Sequence, residues 1–280
     1  MVVRRHGQLG AAILTTVGLL VCGTSLTGCS GSGAVAEDGR SGASAVQTLR
    51  QAAATLVHAG SSRARTSMEM ATGGTRVTIR GEGVYDYRDR LGRLTVTLPQ
   101  DAAGAEEHRP ITELLAPGAL FMKNRGAGVP ADKWVRVDTT TLTDGNLVTG
   151  GATDPYTAAE LLSGVRKVTY VGQAEVADTP VRHYRGVADI GLAATSASAD
   201  VRGPLRAAAK GFATAEVPFE VYLDAQGRVR EVRHRFSFVG GRRKAAVAVS
   251  STILLYDFGV PADVRLPASG DIYAGKIAEG

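Results

Sequence analysis

The chain has 280 residues, 44% of them hydrophobic and 21% charged, and a formal net charge of +5 that falls to +3 once Arg4 and Arg5 of the N-terminal head are set aside. Its basicity is therefore Arg spread along the chain and not a nucleic-acid-binding tract. Cys22 and Cys29 are the only cysteines, so beyond Cys29 the chain has no disulfide, thiolate metal site or cysteine nucleophile, and its length must supply stability through a core.

Arg4, Arg5 and His6 precede the uncharged run "AAILTTVGLLVCGTSL" at 11–26. This reads as a secretory signal, too short and too rich in Gly and Thr for a membrane span. The residues after Arg4-Arg5 fit twin-arginine export poorly, and the general secretory route is favoured. Leu26-Thr27-Gly28-Cys29 resembles the bacterial lipobox. That resemblance implies removal of residues 1–28, a diacylglycerol on the sulfur of Cys29, and Cys29 as the first residue. Residues 29–43 are small, polar and aperiodic, which predicts a flexible tether reaching roughly 20 Å, with one domain over 44–280.

In "SAVQTLRQAAATLVHAG", Val46, Leu49, Ala53, Leu56 and Val57 share a helical face, with Ser44 to cap and Gly60 to stop it. From residue 64 the period becomes two. Over 75–87, Val77, Ile79, Tyr85 and Tyr87 point one way, and Thr78, Arg80, Glu82 and Asp86 the other, as in a half-buried antiparallel strand. Gly81 and Gly83 lie on its apolar face; they mark a bend or leave room for something bulky. "GRLTVTLP", "ALFMK" and "KWVRVD" add strands, and Asp154-Pro155 opens a short helix through Leu162.

The second half repeats the theme. "VRKVTYVGQAEV" places Val168, Tyr170, Gly172 and Ala174 on one face, and "PVRHYRGVADI" does so with Tyr184, Gly186, Ala188 and Ile190. Val201, Leu205, Ala208, Ala209 and Phe212 then share a helical face. "VPFEVYLD" and "VREVRHRFSF" form a hairpin across "AQGR", and "KAAVAVSSTILLYDF", apolar on both sides, suits a sheet centre. The expected fold is α+β: a large curved antiparallel sheet, a half-barrel of about ten strands, with helices on its concave face.

Catalytic patterns are missing from the sequence: it has no G-x-S-x-G, H-E-x-x-H, P-loop or G-x-G-x-x-G. No catalytic residue, metal ligand or cofactor is expected, and the chain does not read as an enzyme. His183 and His234 sit in Arg-containing strands and read as exposed. Arg228, Arg230, Arg233 and Arg235, with Arg242, Arg243 and Lys244, form the densest charge feature. They are solvated hairpin faces or a surface for anionic headgroups; export argues against nucleic acid. The Gly, Ala and Tyr pattern of the strand faces fits equally a cavity or close helix–sheet packing.

"KWVRVD", "VRHYRGVADI" leading into a helix, and "FEVYLDAQGRVREVRHRF" resemble the actinobacterial LppX/LprG-type lipoproteins, relatives of the LolA and RseB folds. The resemblance implies a half-barrel enclosing a hydrophobic cavity for acyl chains of lipid or lipoglycan. The protein would be anchored by Cys29 on the outer face of the cytoplasmic membrane as a carrier or chaperone. The candidate cavity lining is Val77, Ile79, Tyr85, Tyr87, Val168, Tyr170, Tyr184 and Ile190. The alternative is an RseB-type module that binds an envelope protein and senses stress.

Overall fold

The computed structural model describes residues 33–72, 75–99, 109–126, 128–240 and 245–275. The signal segment, Cys29 and the first residues of the expected tether lie outside them, as do Arg242, Arg243 and Lys244. The first helix, α1 (Gly33–Arg50), starts within the segment expected as a tether. It breaks at Gln51, and α2 (Ala52–Ala59) continues to Gly60, whose N–H reaches the carbonyls of Leu56 and Val57 at φ 86°. Leu49, Ala53 and Leu56 are buried, as their spacing requires.

Eleven strands follow: β1 (Ser61–Thr72), β2 (Thr75–Asp86), β3 (Leu91–Thr97), β4 (Ile111–Ala116), β5 (Ala119–Lys123), β6 (Trp134–Asp138), β7 (Val165–Val176), β8 (Thr179–Asp189), β9 (Glu216–Leu223), β10 (Val229–Gly240) and β11 (Ala245–Tyr256). They form one antiparallel sheet in the order β6-β5-β4-β3-β2-β1-β11-β10-β9-β8-β7. The sheet is open, with β6 and β7 as its edges. Three further helices, α3 (Pro155–Leu161), α4 (Ile190–Ser196) and α5 (Ala199–Gly211), complete the helical layer. This is the expected curved sheet with helices on its concave face.

Alternation sorts the strands cleanly. Met68, Ile79, Leu94, Val96, Phe219, Phe236 and Ile253 turn inward to one core shared with Leu49, Leu56, Leu161 and Leu205 of the helices. Arg65, Glu82, Thr95, Arg233 and Thr252 are not buried and face outward. The strand apolar on both sides, β11, does sit mid-sheet between β1 and β10.

Two irregular segments decide where the surface is open. The first, residues 139–154, lies inside the half-barrel. Leu147, Val148 and Ala152 join the core, and a Cβ on Gly151 would stand 3.3 Å from Ile79. On the other side, the backbone at Gly145 abuts the Pro204 carbonyl of α5. A buried loop must satisfy its own polar backbone. Here the Asp144 carboxylate accepts N–H groups from Asn146, Val148 and Thr149 at 2.6–3.0 Å. The second segment is the C-terminal tail, which crosses the outer face. Val264 and Ile272 pack on Leu114, Ala119 and Phe121, while Ile272 bridges Trp134 at the β6 edge and the Tyr273 N–H bonds the Trp134 carbonyl at 2.8 Å.

Candidate functional site

The eight candidate lining residues divide into two groups. Val77, Ile79 and Tyr85 of β2, and Tyr87 just past its end, project into filled space. Tyr85 is 1% exposed and Tyr87 fully buried, with ring centroids 5.0 Å apart. Their hydroxyls are committed, Tyr85 donating to Asp154 at 3.2 Å and Tyr87 pairing with Ser62 at 2.7 Å. Ile190 is buried as well, and it is the first residue of α4 rather than a strand residue, because the Asp189 carboxylate accepts the Leu192 N–H and starts the helix. The two strand glycines serve packing, not a void. A Cβ on Gly83 would strike the Arg93 carbonyl of β3, and one on Gly81 would stand 2.6 Å from Thr66 Oγ1. The buried segment 139–154 packs against this part of the sheet, with Gly151 next to Ile79.

Val168, Tyr170 and Tyr184 form the other group. Tyr170 and Tyr184 are register partners across β7 and β8, with centroids 5.4 Å apart. With Gly42, Ser44, Ala45 and Thr48 of α1 they line a groove of about 610 Å3, and Arg182 lies at the same site. Tyr184 is 7% exposed and Tyr170 51%, so the groove runs from the core out to solvent at the sheet edge. A bulge follows Tyr170, leaving the neighbouring Val171 exposed too. At Gly186, opposite Val168, the Phe219 ring fills the space a side chain would need: a Cβ there would stand 2.6 Å from the ring. The groove therefore lies between α1 and the outermost two strands, not deeper. Ala45, Thr48 and Arg182 were not singled out from the sequence, although Arg182 shares the Tyr184 face by simple alternation.

A second cluster is polar. Asp154 caps α3 by accepting the N–H groups of Tyr156 and Thr157. Burial pushes its carboxyl up to about 6 against those bonds and the Tyr85 hydroxyl. Nearby, Arg90 pairs with Asp200 and stacks over Tyr156, whose hydroxyl donates to Glu160 at 2.8 Å. The cleft among them is small, with a volume of about 30 Å3. It joins α3 and α5 to the β2–β3 turn.

Glu113, Arg230 and His234 are buried ionisable groups that hold polar atoms without a hydrogen-bond partner. Glu113 of β4 has both carboxylate oxygens unpartnered, and burial raises it to about 8 against the pull of Arg125. His234 of β10, expected on the surface, is 1% exposed. It follows the inward alternation of Val232 and Phe236, its Nε2 is unpartnered, and burial lowers it to about 3. His183, also expected to be exposed, is largely buried too, stacked on Tyr222 and 3.2 Å from Glu220. Among the described residues, no group of three or more His, Cys, Asp or Glu could hold a metal ion, and no helix is long and apolar enough to cross a membrane.

No protein-family model matches the chain, and no curated protein does. Its structural neighbours include LppX, LprF and a LolA-superfamily protein. The Mycobacterium tuberculosis lipoprotein LppX aligns at TM-score 0.45 and 10% identity, over 80% of this chain and 99% of that one. LprF from Mycobacterium bovis aligns at 0.39 and 11%, over 81% and 98%. The LolA-superfamily protein from Nitrosomonas europaea aligns at 0.35 and 11%, over 76% and 93%.

Proposed function

We propose that this is a lipoprotein, anchored through Cys29 on the outer face of the cytoplasmic membrane, that binds the acyl chains of lipid or lipoglycan as a carrier or chaperone. The groove between α1 and β7–β8 is the binding site. The observation that carries this reading is the groove itself: about 610 Å3, within the size range of small-ligand sites, with Val168, Ala45 and two tyrosine rings along it and a cation, Arg182, beside them. Each methylene that leaves water there contributes about 0.8 kcal/mol, so a short length of chain suffices for binding, and Arg182 suits a polar head.

The test is uptake of a fluorescent fatty acid by the purified chain, with mass spectrometry of lipid co-purified from a membrane-containing host. Thr48→Trp, which fills the groove from α1, should keep the fold and lower uptake about tenfold or more. Lipid-free protein that also takes up no fatty acid would overturn the reading.

The β7 edge favours a second one. Twelve residues long, with Tyr170 and Val171 exposed, it can accept a strand from an envelope protein partner. Crosslinking in cells that recovers one stoichiometric membrane protein, without lipid, would select it.

A further inference from the structure

The outer face differs between its two wings. Over β4–β6 the C-terminal tail covers it, whereas over β7–β10 no segment among the described residues does, and this part carries Lys167, Arg185, Arg233 and Arg235 around a depression of about 340 Å3 with Val187 and Pro218 among its lining. We propose that this depression is a binding site for a phosphate group, and so for a phosphate-bearing ligand.

Cations outnumber carboxylates around the depression. Thr169, Arg185, Glu220 and Arg233 stand in one cross-strand row. Glu220 is asked to serve Arg185 at 3.4 Å, Arg235 at 3.9 Å and His183 at 3.2 Å. The two guanidiniums remain 63% and 70% exposed, against 15% for the carboxylate. Arg233 turns to Glu231 instead, at 2.6 Å, and Lys167 makes no ion pair among the described residues. Two carboxylates thus face four cations that the strand spacing holds close together. The excess positive field is focused in a concave site.

Geometry selects the anion. A planar carboxylate satisfies one guanidinium fork, and Glu220 already fills that role. A tetrahedral phosphate presents acceptor oxygens in several directions and can bridge Arg185, Arg235 and Lys167 together. Nucleic acid is disfavoured because the lining offers no outward aromatic ring for a base to stack on. Phe219 turns into the core, and Tyr222, beside Arg233, is already stacked on His183.

The experiment compares two double charge reversals. Lys167→Glu with Arg235→Glu alters the depression; Arg206→Glu with Lys210→Glu makes the same charge change on exposed α5. Each is titrated with inorganic pyrophosphate by calorimetry and floated with phosphatidylcholine vesicles with and without phosphatidylglycerol. Each cation removed should weaken binding about fivefold, so the first pair should lose about 25-fold or more and the α5 pair less than about twofold. Loss in the pyrophosphate arm assigns a free phosphate-bearing ligand, and loss confined to anionic vesicles assigns a lipid headgroup. Equal loss in both pairs, or no binding in either arm, would overturn the site. Circular dichroism checks folding, and Arg185→Lys, which keeps charge and removes the fork, should weaken phosphate binding on its own. Thr48→Trp should leave all of this unchanged, so failure of the groove and failure of this site are separately visible.

Discussion

Two tyrosine pairs, presented by strands of similar pattern, end in opposite environments. Tyr85, at the end of β2, and Tyr87, just beyond it, are buried and anchored by Asp154 and Ser62 respectively. Tyr170 and Tyr184, on β7 and β8, lie beside the C-terminal half of α1 and keep an open side. The difference is in what covers the sheet. Over β2 the cover is a loop whose Asp144 carboxylate takes up three of its own backbone N–H groups and which places Leu147, Val148 and Ala152 in the core. Over β7 it is one helix at the sheet edge. An alternating strand establishes a face; whether that face becomes core or groove depends on the segment laid against it.

The sharpest way to break this contrast is truncation of one ring from each pair. Tyr85→Ala removes a buried ring and should cost about 3–5 kcal/mol in urea unfolding. Tyr170→Ala should cost less than about 1 kcal/mol and appear chiefly as lost lipid uptake. Equal costs would mean that the β7 groove is closed in solution.

Gly83→Ala probes the packed wing further. Its Cβ meets the Arg93 carbonyl, which cannot rotate away, and the expected loss is about 1–3 kcal/mol by thermal or urea unfolding. A neutral result would mean that β2 and β3 can part, and that the interior has slack.

Glu113 gives the packed wing a pH signature. Its folded-state value of about 8 lies above the ordinary 4.5, so the native state holds the proton more tightly. The associated stability is full below about 4.5 and is lost as pH rises through 8. His234 works the other way: lowered from 6.5 to about 3, it contributes stability above 6.5 that is lost as pH falls toward 3. The two slopes oppose each other between 4.5 and 6.5, whereas from 6.5 to 8 the decline belongs to Glu113, at most about 1.4 kcal/mol per pH unit. Glu113→Gln should flatten that limb in urea titrations at fixed pH, and an unchanged slope would place the carboxylate in water.

What the sequence disclosed follows the same division. Periodicity found the strand faces, the Asp154-Pro155 helix start, the "AQGR" hairpin and the central strand, because each is encoded within a few residues. The filling of the half-barrel was not legible. Residues 139–154 have no period, and their burial depends on contacts with Ile79 and Pro204, which are distant in the chain. His234 could have been placed inward from Val232 and Phe236, but the arginines on either side drew attention to the other face. Ile190 continued an apparent strand alternation, and only the capping geometry of Asp189 reveals that the chain has already turned.

The two margins of the sheet are unlike. The β6 margin is already occupied by the bridge from Ile272 and the Tyr273 hydrogen bond, while β7 is twelve residues long and carries no further strand among the described residues. Among the described residues, β7 is therefore the longer open margin for strand-to-strand growth. Two copies meeting β7 to β7 about a two-fold axis would use up both free margins, and the assembly would terminate as a pair instead of propagating into a fibre.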